Sequence, residues 1–115
     1  MQYMFLFLLC LIAFFFLKKR FFDSTDYKFI IANGGVVIDV RSSGEFFGGH
    51  IENSLNIPLI DLPDKLDLLK DKNQSIITCC ASVMRSAGAA KLLYSKGFAN
   101  LVNGGGWSIL ENKLK

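Results

Sequence analysis

One stretch, Ser75–Gly97 (SIITCCASVMRSAGAAKLLYSKG), restricts the fold more than any other. Ile76–Thr78 is a β-branched run with the composition of a buried strand. From Ser86 the pattern turns helical: Ala90, Leu93 and Tyr94 share a face, and Gly97 supplies a stop signal. Strand and helix are joined by a few residues that include Cys79, Cys80 and Arg85. A thiol at the end of a buried strand, under the free N–H groups that open a helix, sits in a positive field that favours thiolate. This segment is therefore the first place to expect chemistry.

The remaining segments fit around it. Asp23, Ser24 or Thr25 is expected to cap a short helix over Asp26–Ala32, with Tyr27, Ile30 and Ile31 on one face and Asn33-Gly34-Gly35 ending it. Val36–Val40 (VVIDV) is nearly continuous apolar chain broken by one acid, as in a strand covered on both faces of a parallel sheet. The spacing predicts one helical turn over Ser43–Phe47, a strand in Asn53–Leu59 ended by Pro58, and a helix over Asp61–Asp71. That helix would have Leu62, Leu66 and Leu69 inward and Pro63 in its first turn. A strand over Asn100–Asn103 and a terminal helix after Gly104-Gly105-Gly106-Trp107 complete an αβαβαβαβα order, an open α/β sandwich.

Residues 1–17 carry no charged side chain and are followed at once by Lys18, Lys19 and Arg20. A cleaved leader would carry positive charge before the apolar run and small residues after it, and this chain has neither. The expectation is a membrane anchor over residues 1–20 preceding a domain over residues 21–115. The positive-inside rule would then make it single-pass, with the domain on the cytoplasmic face. Lys18, Lys19 and Arg20 account for the whole excess of 13 basic over 10 acidic residues. The neutral remainder gives no reason to expect nucleic acid.

Three cysteines, two of them adjacent, make neither a disulfide framework nor a zinc site, and a single histidine argues against Cys–His catalysis. No metal or organic cofactor is expected. Cys10 and Cys79 read as small buried hydrophobes.

Three separated pieces share one likeness. VVIDVRSSGEFFGGHIENSLNIPL resembles the segment of rhodanese domains whose pattern is I-D-V-R, E-F, G-H-I and N-I-P. CCASVMRSAGAAKLLYSKGF resembles their active-site strand, loop and helix, with C-x₄-R-S; NLVNGGGW resembles their closing glycine–tryptophan region, with Trp107 early. Together they cover roughly residues 24–111.

The resemblance implies a rhodanese-like open sandwich, mainly parallel with helices on both faces, preceded by the N-terminal apolar helix. It further implies a sulfurtransferase that holds sulfane sulfur as a cysteine persulfide. By register the persulfide cysteine is Cys80, with Arg85 closing the loop and Ala81, Ser82, Val83 and Met84 forming the cradle. Arg85 needs a partner, because a cation at a helix start opposes the dipole. From Cys79 the same arginine completes C-x₅-R, the spacing of cysteine-dependent phosphatases and arsenate-type reductases, which is the alternative chemistry. A non-catalytic binding module is the other alternative.

The loop departs from the family pattern. Ala81 stands where a basic residue is usual and Val83 where a glycine is usual, so either Val83 is strained or the cradle is altered. An uncharged loop disfavours small anionic donors such as thiosulfate. The expected partners are an apolar small-molecule sulfur donor or a protein persulfide. Asp39, Arg41 and His50 read as structural, with Arg41 partnering Asp39 or Glu45. Trp107 reads as a packing residue beside the site's mouth.

Overall fold

The computed structural model of the chain describes residues 2–21 and 25–115. Its elements, in order, are α1 (Gln2–Phe21), α2 (Tyr27–Ala32), β1 (Val36–Asp39), α3 (Ser43–Phe47), β2 (Leu55–Asn56), two 3₁₀ turns (Leu62–Asp64 and Leu66–Leu68), β3 (Ile76–Cys80), α4 (Met84–Ser95), β4 (Leu101–Gly106) and α5 (Trp107–Leu114). The four strands form one sheet in the order β2-β1-β3-β4, every pair parallel. All five residues of β3, a central strand, are buried; the run is uncharged, and its one hydroxyl, on Thr78, donates to the Ser86 carbonyl.

Alternation along the strands divides the interior into two cores. Ile38, Val40, Ile76 and Cys80 face one core, completed by Ile57, Leu62, Leu69, Ala89, Leu93 and Phe98. Val37, Ile77 and Cys79 face the other, against Tyr27, Ile51 and Leu110. The adjacent cysteines thus point to opposite faces of the sheet, since successive strand residues do so. Both are fully buried.

Several expectations need correction. The residue that caps α2 is Asp26, whose side chain accepts from the Phe29 N–H; Asp23 and Ser24 lie outside the described residues. The expected helix over Asp61–Asp71 is two 3₁₀ turns, although Leu62 and Leu69 are buried and Leu66 packs on the first core. Pro63 and the three aspartates 61, 64 and 67 are poor helix formers, so burial of the leucines rather than an α-helical ladder holds this segment. The β2 ladder is shorter than Asn53–Leu59. In α4 the buried face is Ser86, Ala89 and Leu93, while Tyr94 is exposed. Gly97 does stop that helix, at φ +98°, where a side chain would be strained.

The largest correction concerns the N-terminus. Among the described residues no helix is long and apolar enough to cross a membrane. The uncharged run of 17 residues, at ~1.5 Å each, falls short of a ~30 Å hydrocarbon core before Lys18, Lys19 and Arg20 intervene. The single-pass anchor, the membrane as a partner and the cytoplasmic placement derived from it all fall with this finding. Cys10, expected to be buried, is exposed on α1.

Candidate active site

The side chains of interest lie near the carboxyl ends of the strands, within their last residues or just beyond them. β4 carries a bulge there: Thr78 pairs with Asn103 and Cys80 with Gly106, so two residues of β4 span one of β3. Gly105 takes φ +74° in that bulge. A Cβ on Gly104 would lie 2.8 Å from Ile77, Leu110 and the Thr78 carbonyl, so only glycine lets β4 approach β3 this closely. The glycine run that read as a connection to the terminal helix is the end of the strand itself.

Cys80 ends β3 immediately below α4. Its Sγ accepts the Ser86 N–H at 3.2 Å and donates to the Ser82 carbonyl. Ser86 is the third residue of α4, and Val83, the N-cap, offers no capping side chain. The cysteine sulfur therefore takes one of the helix N–H groups that a capping oxygen would otherwise satisfy. Ser86 is itself fixed from two sides. Its hydroxyl donates to Asn103 Oδ1 at 2.6 Å, and its carbonyl accepts from Thr78 Oγ1 at 2.9 Å. Asn103 Oδ1 also accepts the Gly105 N–H at 3.1 Å, so one amide joins the bulge to the start of the helix.

The loop between sulfur and helix is exposed at Ala81, Ser82, Val83 and Met84, the last two at 59% and 84%. Val83 has φ −85° and ψ −26°, an ordinary right-handed conformation. The strained alternative is thereby excluded. The altered cradle is the alternative left: the Ser82 carbonyl is turned toward Sγ beside the Ser86 N–H.

Cys79 occupies a different environment. It pairs in register with Asp39 and is packed in the second core. Burial first, and then the Asp39 charge, pushes its thiol up to about 12, so it stays protonated at neutral pH.

Two arginine–carboxylate pairs flank the loop. Arg41 is 4% exposed and Asp39 fully buried; Arg41 Nε and Nη2 donate to the Asp39 carboxylate at 2.8–3.1 Å. Its remaining bonds go to backbone, at the Glu45 carbonyl (3.3 Å) and the Gly49 carbonyl (2.6 Å), and its guanidinium lies 4.6 Å from the Trp107 ring centre. The hydrogen bonds to Asp39 raise the Arg41 pKa further. Asn56 closes this corner by donating to the Asp39 and Arg41 carbonyls, both at 3.0 Å.

Arg85 has the partner that its position demands. Nη1 and Nη2 donate to Glu45 Oε1 and Oε2 at 2.8 and 3.0 Å, a bidentate bridge from α4 to α3. Glu45 is held in turn by the Ser42 N–H and hydroxyl in a capping box. The Arg85 hydrogen bond, then that of Ser42, lowers the Glu45 carboxyl to about 2.

Of the residues singled out in the sequence, Cys80 and the 81–85 loop stand together at the start of α4, while Cys79 stands apart. His50 is exposed, stacked on Phe46 at 3.7 Å, with Nδ1 2.8 Å from the Phe46 carbonyl. In the sequence Glu45 stood only as a possible partner of Arg41, and nothing local named Arg85 as its partner. Asn103 and Asn56 had no sequence signal, since their partners lie 17 and 15–17 residues away. No group of His, Cys, Asp or Glu among the described residues could hold a metal ion.

Comparison with known proteins follows the same outline. A family model described as a rhodanese-like domain matches residues 23–110. YtwF of Bacillus subtilis is 34% identical over 79 residues, covering 69% of this chain and 76% of that protein. The thiosulfate sulfurtransferase PspE of Escherichia coli is 29% identical over 70 residues, covering 60% of this chain and 67% of its own. The crystal structure of a rhodanese-related protein from Thermoplasma volcanium superposes with a TM-score of 0.61 at 32% identity, covering 71% of this chain and 80% of that one.

Proposed function

The chain belongs to the rhodanese-like domain family, and from that premise we propose that its domain, taken as residues 21–115, moves sulfane sulfur through a persulfide on Cys80. One observation carries the choice of residue: Cys80 Sγ receives the Ser86 N–H at the start of α4, where an anionic sulfur is stabilised. Cys79 faces the opposite core, where burial pushes its thiol up to about 12, and this disfavours the C-x₅-R phosphatase reading.

The transfer has two steps. The Cys80 thiolate attacks the sulfane sulfur of a donor; the donor's S–S bond breaks and its electron pair leaves with the remainder of the donor. An acceptor nucleophile then attacks the terminal sulfur of the persulfide and regenerates the thiolate. The Ser86 N–H remains as a donor to the anionic sulfur. Ala81, Ser82, Val83 and Met84 would line the donor's approach, and Arg85 would hold the end of the loop through Glu45. The uncharged loop supports an apolar or protein-borne donor over thiosulfate.

The test is mass spectrometry after incubation with inorganic polysulfide. A mass increase of one sulfur that maps to Cys80 and is lost in Cys80→Ser supports this reading. An adduct on Cys79 reverses the assignment. A folded protein that gains no sulfur at either position indicates the family's fold kept as a binding module.

A further inference from the structure

The chain has three arginines, and the two within the domain, Arg41 and Arg85, are both engaged. Arg41 is spent on Asp39, on two backbone carbonyls and on the Trp107 face. Arg85 is the one charged residue of the Cys80–Arg85 loop, and both of its terminal nitrogens are bound to Glu45. Glu45 is not free to swing aside, because Ser42 holds the same carboxylate at 3.0 Å through its hydroxyl and at 3.3 Å through its N–H. The mouth of the site therefore offers no uncommitted guanidinium to an incoming anion.

Thiosulfate makes a specific demand on such a mouth. When a thiolate attacks its outer sulfur, the S–S bond breaks and its electron pair departs on sulfite, so negative charge stays on the sulfonate end throughout. A positioned cation there lowers the barrier and tightens binding.

We propose that Glu45 sets the donor preference of this site: by occupying both terminal nitrogens of Arg85 it withholds the loop's only cation from the sulfonate end of thiosulfate. The inference rests on the Cys80 persulfide reading above. It makes Glu45 a specificity-determining residue acting through Arg85, while Arg85 itself becomes a substrate contact only when released.

Glu45→Gln is the variant of choice. Glutamine at this position keeps the capping box with Ser42 but abolishes the charge pair. Steady-state thiosulfate:cyanide assays on the full chain are expected to show kcat/KM for thiosulfate raised about tenfold, the worth of one charge-assisted hydrogen bond at a half-exposed site, and mostly through a lower KM. The gain should shrink with added salt, as an exposed charge is screened. It should vanish in Glu45→Gln/Arg85→Gln, which a merely structural role for Glu45 would not predict. If Glu45→Gln does not fold, Glu45→Asp, too short to span both nitrogens from α3, should move thiosulfate KM in the same direction.

Loading of Cys80 by inorganic polysulfide, followed by mass spectrometry in wild type and variants, separates the two levels of failure. If polysulfide loads Cys80 in every variant but thiosulfate kcat/KM does not rise, the role of Glu45 is overturned and the sulfurtransferase reading stands. If polysulfide never loads Cys80, both are overturned.

Discussion

Arg41 and Arg85 sit on either side of the same loop, each bound to a carboxylate, yet they do different work. The Arg41–Asp39 pair is buried, with side chains 5% and 0% exposed; the Arg85–Glu45 pair is open, at 38% and 39%. A buried pair has already lost its water, so removing one partner strands the other without solvent. An open pair keeps access to water, and its contribution to stability is small and screened. Burial turns the first arginine into a structural clamp. Exposure leaves the second at the surface, where an incoming donor can meet it.

The largest effect expected from this contrast is on stability. Arg41→Met removes every side-chain bond to the buried Asp39 carboxylate and should cost about 3–5 kcal/mol, the usual loss when one half of a buried pair is deleted. Urea unfolding of the full chain measures it, and a loss below about 1 kcal/mol would mean that Asp39 finds water or another donor. The Arg85→Gln variant serves as the counterpart and should leave the unfolding midpoint nearly unchanged. A comparable loss in both would erase the distinction.

A smaller effect is expected at Asn56, which ties the ends of the Asp39–Arg41 turn. Asn56→Ala removes a donor from the Arg41 carbonyl and one of two from the Asp39 carbonyl, which keeps the Ile57 N–H, and should destabilise by about 1 kcal/mol in the same unfolding assay. Should Asn56→Ala prove neutral, the clamp would stand on the ion pair alone.

The smallest effect is electrostatic. The Glu45 carboxyl, lowered to about 2 by Arg85 and Ser42, has a folded-state pKa below its usual 4.5. Its contribution is fully present above about pH 4.5 and fades as the pH falls toward 2. A side-chain NMR titration should find the Glu45 midpoint near 2, moving upward in Arg85→Gln and in high salt. A midpoint near 4.5 would mean that the pair is not held in solution.

These outcomes bear on how far local sequence reaches. A partner for Arg85 was foreseeable from the helix dipole alone, and Glu45 was already a candidate partner for Arg41. That these two meet was not, because 40 residues separate them and only the pairing of β1 with β3, the strands that precede α3 and α4, brings them together. The same holds for Asn103, whose value depends on a bulge that local composition presented as a glycine-rich connection. At the N-terminus the error ran the other way: an uncharged run followed by three basic residues suggested an anchor, and no described helix is long and apolar enough to cross a membrane.

The sequence by itself determined the alternation of strands and helices, the parallel sheet and the loop in which a thiol meets a helix start. Those features are carried by short-range periodicity, by glycine and proline, and by uninterrupted β-branched runs. Only the tertiary structure decided that Cys79 and Cys80 face different cores, that Val83 is unstrained, and that both arginines of the domain are already engaged. The physical reason is the same in each case. Which face a strand residue takes, and which charge meets which, depends on the register of segments far apart in the chain, and no local pattern encodes that register.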